Sequence, residues 1–184
     1  MLQSKTFEPQ WPSELLPTSK AIIQYWQSKR GAGINSIPDS FATLLEGVDE
    51  SLMGWAFMSE ISDGKLARVL YSGADLDKII GTDIAGSDVY DLIPEATLDI
   101  ELDYFKTITA KPCCGSLVRV LEHWRGTGKP LCYRTIHMPV LDTNGEIKYL
   151  FGAGEDMGEG YYTHERKDTV ATRFIDLNFA PVSR

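Results

Sequence analysis

Three consecutive stretches decide the fold: SLVRVLEHW (116–124), LCYRTIHMPVL (131–141) and EIKYLFGAGEDM (146–157). They are rich in β-branched and aromatic residues, which favour strands. RGTGKP (125–130) and DTNG (142–145) have the composition of turns and separate them. The block from 115 to 157 therefore predicts three adjacent long strands. A sheet of long strands must bury a face, so the rest of the chain is expected to cover it.

The chain also predicts an earlier hairpin. Apolar and polar residues alternate over 54–61, as expected for a half-buried strand. Asp63-Gly64 is a strong signal for a tight hairpin turn, and the stretch 66–71 returns as a second strand. Two runs of strands are thus predicted, one early and one late.

Helices are predicted before and between these runs. The first begins at Thr18 or Ser19, and a shorter one covers 39–46. A longer helix covers 95–110, after a glycine-rich and aspartate-rich stretch of short capped turns. The first helix carries one apolar stripe, which needs a surface to lie on; its members are Ile22, Ile23 and Trp26.

The order of these elements predicts an α+β fold with one antiparallel sheet and helices over one face, plus the N-terminal helices. We divide the chain into an N-terminal arm (1–17), a main domain (18–157) and a C-terminal tail (158–184). The tail ends in an alternating run that predicts either an extra strand or an extended partner-binding segment. Its apolar members are Ile175, Leu177 and Phe179.

Composition excludes some classes of function. The 184 residues include 18 Lys and Arg against 26 Asp and Glu, a formal net charge of -8, so a nucleic-acid partner is not expected. No apolar run approaches the roughly 20 residues that span a bilayer, and the N-terminus lacks a signal-peptide pattern. We therefore expect a cytoplasmic protein with no membrane partner. Cys113, Cys114 and Cys132 cannot all pair and fit reduced thiols, and no metal site is predicted.

A ligand pocket is the candidate site between the sheet and the helices. We assign its lining to Trp55, Phe57, Tyr71, Tyr104, Phe105, Arg134, Ile136, Met138 and Phe151. The alternative is that these side chains simply fill a close-packed core. The assignment takes the more apolar side of 131–141, with Arg134, as the inward face. Arg134 is then either the counter-charge of an anionic ligand or an edge residue whose guanidinium reaches solvent.

Two histidines fall on the late strands. His123 and His137 are expected on neighbouring antiparallel strands, either as contacts to an anion or haem or as ordinary residues of the sheet surface. His164 lies in the polar tail. No catalytic residue is assigned, because no Asp is placed beside either strand histidine.

Several short motifs carry a resemblance to a known family. They are YWQ (25–27), KRG (29–31), IPD (37–39), RVLYSG (68–73), IIGTDIAG (79–86), MPV (138–140) and DTNGE (142–146). Over residues 20–157 the chain resembles a PAS domain, of a largely uncharacterised PAS-like family common in alphaproteobacteria. The resemblance implies a five-stranded antiparallel sheet with helices over one face, a sensory role, and dimerisation through N-terminal helices.

The resemblance leaves the cofactor unknown, since PAS folds bind haem, flavin, small acids or nothing. The helix over 95–110 contains no histidine, unlike the oxygen-sensing haem class, and no asparagine-cysteine-arginine flavin motif occurs. The last strand ends in Glu155-Asp156-Met157-Gly158 where the family usually has Asp-Ile-Thr.

Three functions follow as hypotheses. The first is a regulatory sensor, not an enzyme, that binds a small molecule or a downstream signalling protein and acts as a homodimer. The second is an adaptor with a filled core that uses Ile22, Ile23 and Trp26 as its dimer or docking surface. The third is a small enzyme with an Asp and His pair in a cavity.

Overall fold

The computed structural model describes residues 15–30, 37–38, 41–62, 65–110, 113–121, 130–158, 160, 162 and 169–175. Several predicted features lie outside these residues: the arm up to residue 14, the turn at Asp63-Gly64, and both His123 and His164. The division of the chain at 17 and 157 stays a prediction.

Five α-helices and two short 3-10 helices occur in the described part. The α-helices are α1 (Pro17–Ser28), α2 (Phe41–Glu46), α3 (Glu50–Met53), α4 (Ala74–Ile80) and α5 (Leu98–Ala110). The 3-10 helices, Val89–Leu92 and Glu95–Thr97, precede α5. None of the helices in the described ranges has the length and apolar character needed to cross a membrane.

The strands are β1 (Ala56–Ser62), β2 (Lys65–Ser72), β3 (Cys114–Leu121), β4 (Leu131–Leu141), β5 (Ile147–Asp156) and β6 (Thr169–Ile175). They form one sheet in the order β2-β1-β5-β4-β3-β6, and every adjacent pair is antiparallel. The predicted α+β class with an antiparallel sheet is confirmed. The tail adds a sixth strand at the β3 edge, one of the two outcomes left open for it.

Both faces of the sheet are buried. Every residue of β3 and all but the last of β4 are buried, so the two alternating sets of side chains each face a core. One face is covered by α4, α5 and the 3-10 helices, and we call it the α5 face. The other is covered by α1 and α2, and we call it the α1 face.

The N-terminal helix α1 packs on the sheet of its own chain. Ile22 and Trp26 have no exposed surface, and the Trp26 indole Nε1 donates a hydrogen bond to the Pro139 carbonyl at 3.0 Å. Ile23 is also buried. These three side chains are thus covered by their own chain, and their use as a dimer or docking surface stays a prediction. An amphipathic stripe shows that a helix needs an apolar partner, but not which partner it has.

The α5 face is closed by a chain of short elements after β2. Helix α4 ends at Gly81, whose left-handed φ of 81° lets the chain reverse. Asp77 then accepts hydrogen bonds from Ser72 Oγ at 2.6 Å and from the Ile84 backbone N–H at 3.3 Å. These bonds hold the loop after α4 against the end of β2 and place its apolar residues over the sheet.

Candidate functional site

A cavity of about 60 Å³ lies on the α5 face. Its helical side is apolar, whereas its sheet side carries polar groups from β1, β3 and β4. The apolar lining comprises Phe57, Val69, Leu76, Ile80, Ile84, Val89, Leu92, Ile93 and Phe105. The other lining residues are Ser59, Arg119, Tyr133, Thr135 and His137. A mostly apolar void with a few converging polar groups is the usual form of a small-molecule site.

Arg119 is fixed by a buried carboxylate from α5. Its Nη2 lies 2.6 Å from Glu101 Oε2, and its Nε lies 3.0 Å from Oε1 of the same carboxylate. The two side chains are 7% and 0% exposed, so this forked pair is held inside the protein. Thr97 Oγ1 also donates to Glu101 Oε1 at 3.1 Å, which completes the bonding of the carboxylate.

The same guanidinium reaches across to β4. Arg119 Nη1 donates to Thr135 Oγ1 at 3.1 Å, and the guanidinium carbon lies 5.2 Å from the centre of the Tyr133 ring. These contacts fix the guanidinium plane on the sheet side of the cavity. Burial lowers the pKa of Arg119, but the Glu101 charge outweighs it, so the pKa is raised and the group stays charged.

His137 is held by an aromatic box and one hydrogen bond. Its ring lies 5.1 to 5.5 Å from the ring centres of Phe57, Tyr104 and Phe105. The Tyr104 hydroxyl lies 2.9 Å from His137 Nδ1, and within the described ranges neither side chain has another hydrogen-bond partner. A buried hydroxyl needs an acceptor, so we assign the hydroxyl as donor to Nδ1. His137 Nε2 then carries the hydrogen and is a donor.

Two glycines make room for this box. The strand register places Gly115 of β3 and Gly152 of β5 on either side of His137. A Cβ at Gly115 would lie 2.2 Å from the Tyr104 hydroxyl, and one at Gly152 would lie 2.8 Å from the Phe57 ring and closer still to the Ile136 carbonyl. The glycines therefore let Tyr104 and Phe57 approach the imidazole from both sides.

Burial also sets the protonation of the pair. It lowers the pKa of His137 well below the ordinary value, and the positive charge of Arg119 lowers it further. Burial raises the pKa of Tyr104 well above its ordinary value, and Cys114 adds to the shift. At neutral pH the imidazole and the phenol are both uncharged. The charges beside the cavity are then those of Arg119 and Glu101, which cancel.

The structure divides the predicted pocket between the two faces. Phe57 and Phe105 line the cavity, and Tyr104 supports it through His137. The other predicted residues belong to the α1 face or pack against it: Trp55, Tyr71, Ile136, Met138 and Phe151. The error has a physical cause: the α1 side of β4 is apolar because a helix covers it, so the more apolar side was not the cavity side.

Arg134 is likewise on the α1 face and not in the cavity. It is buried 3.8 Å from Glu155 Oε2, and Glu155 Oε1 accepts a hydrogen bond from the Ser19 backbone N–H in the first turn of α1. Arg134 was predicted to balance the charge of an anionic ligand, whereas the carboxylate that faces it is Glu155 of β5. The Arg134 side chain does not line the cavity. It is 3% exposed, so its guanidinium does not reach solvent at an edge of the sheet.

The most informative residues of the site were missed. Glu101 lies on the same stripe of α5 as Phe105 and Ile108, and Arg119 alternates with Leu117 and Leu121 on β3. A charged residue on a predicted apolar stripe is a signal that it has a buried partner. Glu101 and Arg119 are two opposite charges of this kind, one on a helix and one on a strand. Their positions could have predicted that they form a buried ion pair, although not the distance between them.

In the described ranges, no group of three or more His, Cys, Asp or Glu side chains is arranged to hold an ion. Cys113, Cys114 and Cys132 are not joined in disulfides. Burial raises the pKa of Cys114 to about 12, with a further contribution from Cys113, so its thiol stays protonated. The site is thus equipped to bind and orient a molecule by hydrogen bonds.

No family model matches the sequence, and no curated protein matches it. Among solved structures, the chain is similar to "VqmA bound to DPO", with 14% identity and a TM-score of 0.44 over 57% of this chain and 53% of that chain. A second structure, of the Vibrio cholerae VqmA dimer in the absence of target DNA, gives the same identity and TM-score, over 48% of its chain. The chain thus spans about half the length of these structures. Similarity at this level does not bear on function.

Proposed function

We propose that this protein is a PAS-like sensory or regulatory module that binds a small molecule in the cavity of the α5 face. The observation that carries the proposal is the cavity itself, with an apolar helical side and hydrogen-bonding groups of Arg119, Thr135 and His137 on its sheet side. The motifs that resemble PAS domains support a sensory role. Signalling through a homodimer or a downstream protein is part of the same proposal.

The size of the cavity limits the ligand. A void of about 60 Å³ is smaller than the roughly 150 Å³ that holds benzene in an engineered protein cavity. A ligand must therefore be small, or the side chains on α4 and the following loop must shift to admit it. Asp77 ties the backbone of this segment to the end of β2, so the change falls on its apolar side chains, which can repack more easily than a strand can.

The acid-base enzyme is the weaker alternative. It requires a carboxylate within hydrogen-bond reach of a histidine in a cavity. His137 does line the cavity, but its bonding partner is Tyr104, and the nearby Glu101 carboxylate is bonded to Arg119 and Thr97. The geometry favours fixed binding groups over a proton-transfer pair.

The proposal is tested on the undenatured protein. Native mass spectrometry and an absorption spectrum detect a co-purified ligand, and a thermal-shift screen over a metabolite panel finds one that binds weakly. We expect at least one compound to raise the melting temperature. Light scattering of the free and bound protein then reports dimerisation. An empty protein with no shift across the panel would favour the adaptor with a filled core.

A further inference from the structure

The sheet side of the cavity has donors but no net charge. Arg119 is neutralised by Glu101 at 2.6 Å, and His137 is uncharged. The nearest groups are therefore a compensated cation and a neutral ring. A ligand that enters meets a hydrogen-bonding surface whose charge is already balanced.

The sheet side of the cavity presents two nitrogen donors, from His137 and Arg119, beside the hydroxyls of Ser59, Tyr133 and Thr135. His137 Nε2 carries the hydrogen because Tyr104 donates to Nδ1, and the Arg119 guanidinium has more N–H groups than Glu101, Thr135 and the Tyr133 hydroxyl accept. Thr135 Oγ1 already accepts from Arg119 and lies 3.5 Å from the Leu117 carbonyl, to which it donates. The surface is therefore suited to a ligand atom that accepts hydrogen bonds.

We propose that the cavity selects uncharged ligands that place a hydrogen-bond acceptor, such as an amide carbonyl or a ring nitrogen, against Arg119 and His137 and an apolar body against the helices. This inference rests on the proposed function, since it names the ligand class of the same cavity. Glu101 is the residue that sets the selectivity. It neutralises the cation that would otherwise attract a carboxylate, and a carboxylate would add an uncompensated buried charge.

The test compares two probes of the same shape, isobutyramide and isobutyrate, at neutral pH. The protein is labelled at the isoleucine δ-methyl groups and titrated by NMR. Ile80, Ile84 and Ile93 line the cavity and report binding, whereas Ile22 and Ile136 on the α1 face serve as internal controls. We expect only the cavity methyls to shift, and the amide to bind roughly 10- to 100-fold more tightly than the carboxylate.

Two variants identify the cause of the selectivity. Glu101→Gln keeps the shape of the side chain and leaves the Arg119 charge uncompensated, so the preference should reverse toward isobutyrate. The double variant Glu101→Gln with Arg119→Gln removes both charges and should prefer the amide again. The wild-type comparison does not depend on either variant being folded, and circular dichroism checks both.

The outcomes separate the two proposals. If wild-type protein binds isobutyrate as tightly as isobutyramide, or more tightly, the inferred ligand class is overturned and the proposed site stands. If neither probe moves the cavity methyls of any of the three proteins, the site itself is overturned, and the ligand class with it. Shifts at Ile22 and Ile136 alone would have the same meaning.

Discussion

Among the described residues, each face of the sheet buries one arginine and one glutamate, but the two pairs are bonded differently. On the α5 face Arg119 and Glu101 form a forked pair with contacts of 2.6 and 3.0 Å. On the α1 face Arg134 lies 3.8 Å from Glu155 Oε2, and that oxygen has no hydrogen-bond partner among the described residues. The same two residue types therefore make a well-bonded pair beside a cavity and a loose one beneath a helix.

The two ion pairs have different roles: one fixes a side chain of the cavity, and the other holds a helix on the sheet. The tight pair fixes a guanidinium that lines the cavity, which is the arrangement expected of a preorganised binding surface. In the loose pair Glu155 also accepts a hydrogen bond from Ser19 at the start of α1, where a carboxylate interacts favourably with the helix dipole. The α1 face thus uses its carboxylate to hold a helix in place.

The largest effect is expected from breaking the α1 face. Trp26→Ala removes a side chain with no exposed surface and the hydrogen bond to Pro139, so the free energy of unfolding should fall by about 3 to 5 kcal/mol in urea denaturation. The neighbouring exposed residue supplies the control, since Gln27→Ala should change stability by about 0.5 kcal/mol or less. A Trp26→Ala protein with unchanged stability and a changed oligomeric state would instead support an intermolecular role for α1.

Double-mutant cycles compare the two ion pairs directly. Arg119→Gln should destabilise the protein by about 3 to 5 kcal/mol, because it leaves the Glu101 charge buried without its partner. The coupling energy between Arg119 and Glu101 should be about 2 to 3 kcal/mol, and that between Arg134 and Glu155 about 1 kcal/mol or less. Equal coupling energies in urea denaturation would contradict the contrast between the faces.

Lowering the pH should reduce the free energy of unfolding through the α5 face, because His137 is buried there. The pKa of His137 is lowered in the folded protein by burial and by Arg119, so the unfolded state binds the proton first as pH falls. Above the unfolded pKa of about 6.5, the neutral His137 does not reduce the free energy of unfolding. Below that pH, the free energy of unfolding falls by up to about 1.4 kcal/mol per pH unit. Tyr104, Phe57 and Phe105 surround the ring and supply no carboxylate to stabilise its charged form.

The measurement is the free energy of unfolding between pH 7 and pH 5, in the wild type and in His137→Asn. Carboxylates elsewhere titrate in both proteins, so the readout is the difference between the two slopes. The variant should be less sensitive to acid. Identical slopes would contradict the prediction. They would show that protonating His137 costs no more free energy in the folded protein than in the unfolded chain.

The smallest effect comes from one added methylene on each face. Val69→Ile projects into the cavity and should change stability by about 0.5 kcal/mol or less, while it weakens ligand binding. Val140→Ile, in a strand of the same sheet, overpacks a site with no exposed surface and should cost about 1 kcal/mol. If Val69→Ile cost more stability than Val140→Ile in urea denaturation, the cavity would lie on the α1 face and not on the α5 face.

The sequence predicted the elements more closely than the site. The alternation in residues 54–61 and the stripe of α5 were enough for their strand and helix, because period and propensity act locally. Which side of β4 faces a cavity was not local information. Arg134 and Thr135 are adjacent in sequence and point to opposite faces. Because the prediction assigned the Arg134 side of β4 to the cavity, it also placed Ile136 and Met138 there, whereas they belong to the core of the α1 face.

By itself the sequence determined an α+β chain with one antiparallel sheet and helices that need apolar surfaces, since patterns of two and of 3.6 residues specify strands and helices directly. Only the tertiary structure decided that α1 covers the second face of its own sheet, that Glu101 meets Arg119 across 18 residues of sequence, and that His137 lies between two glycines. Those facts depend on which distant residues become neighbours, and packing of the whole chain sets them.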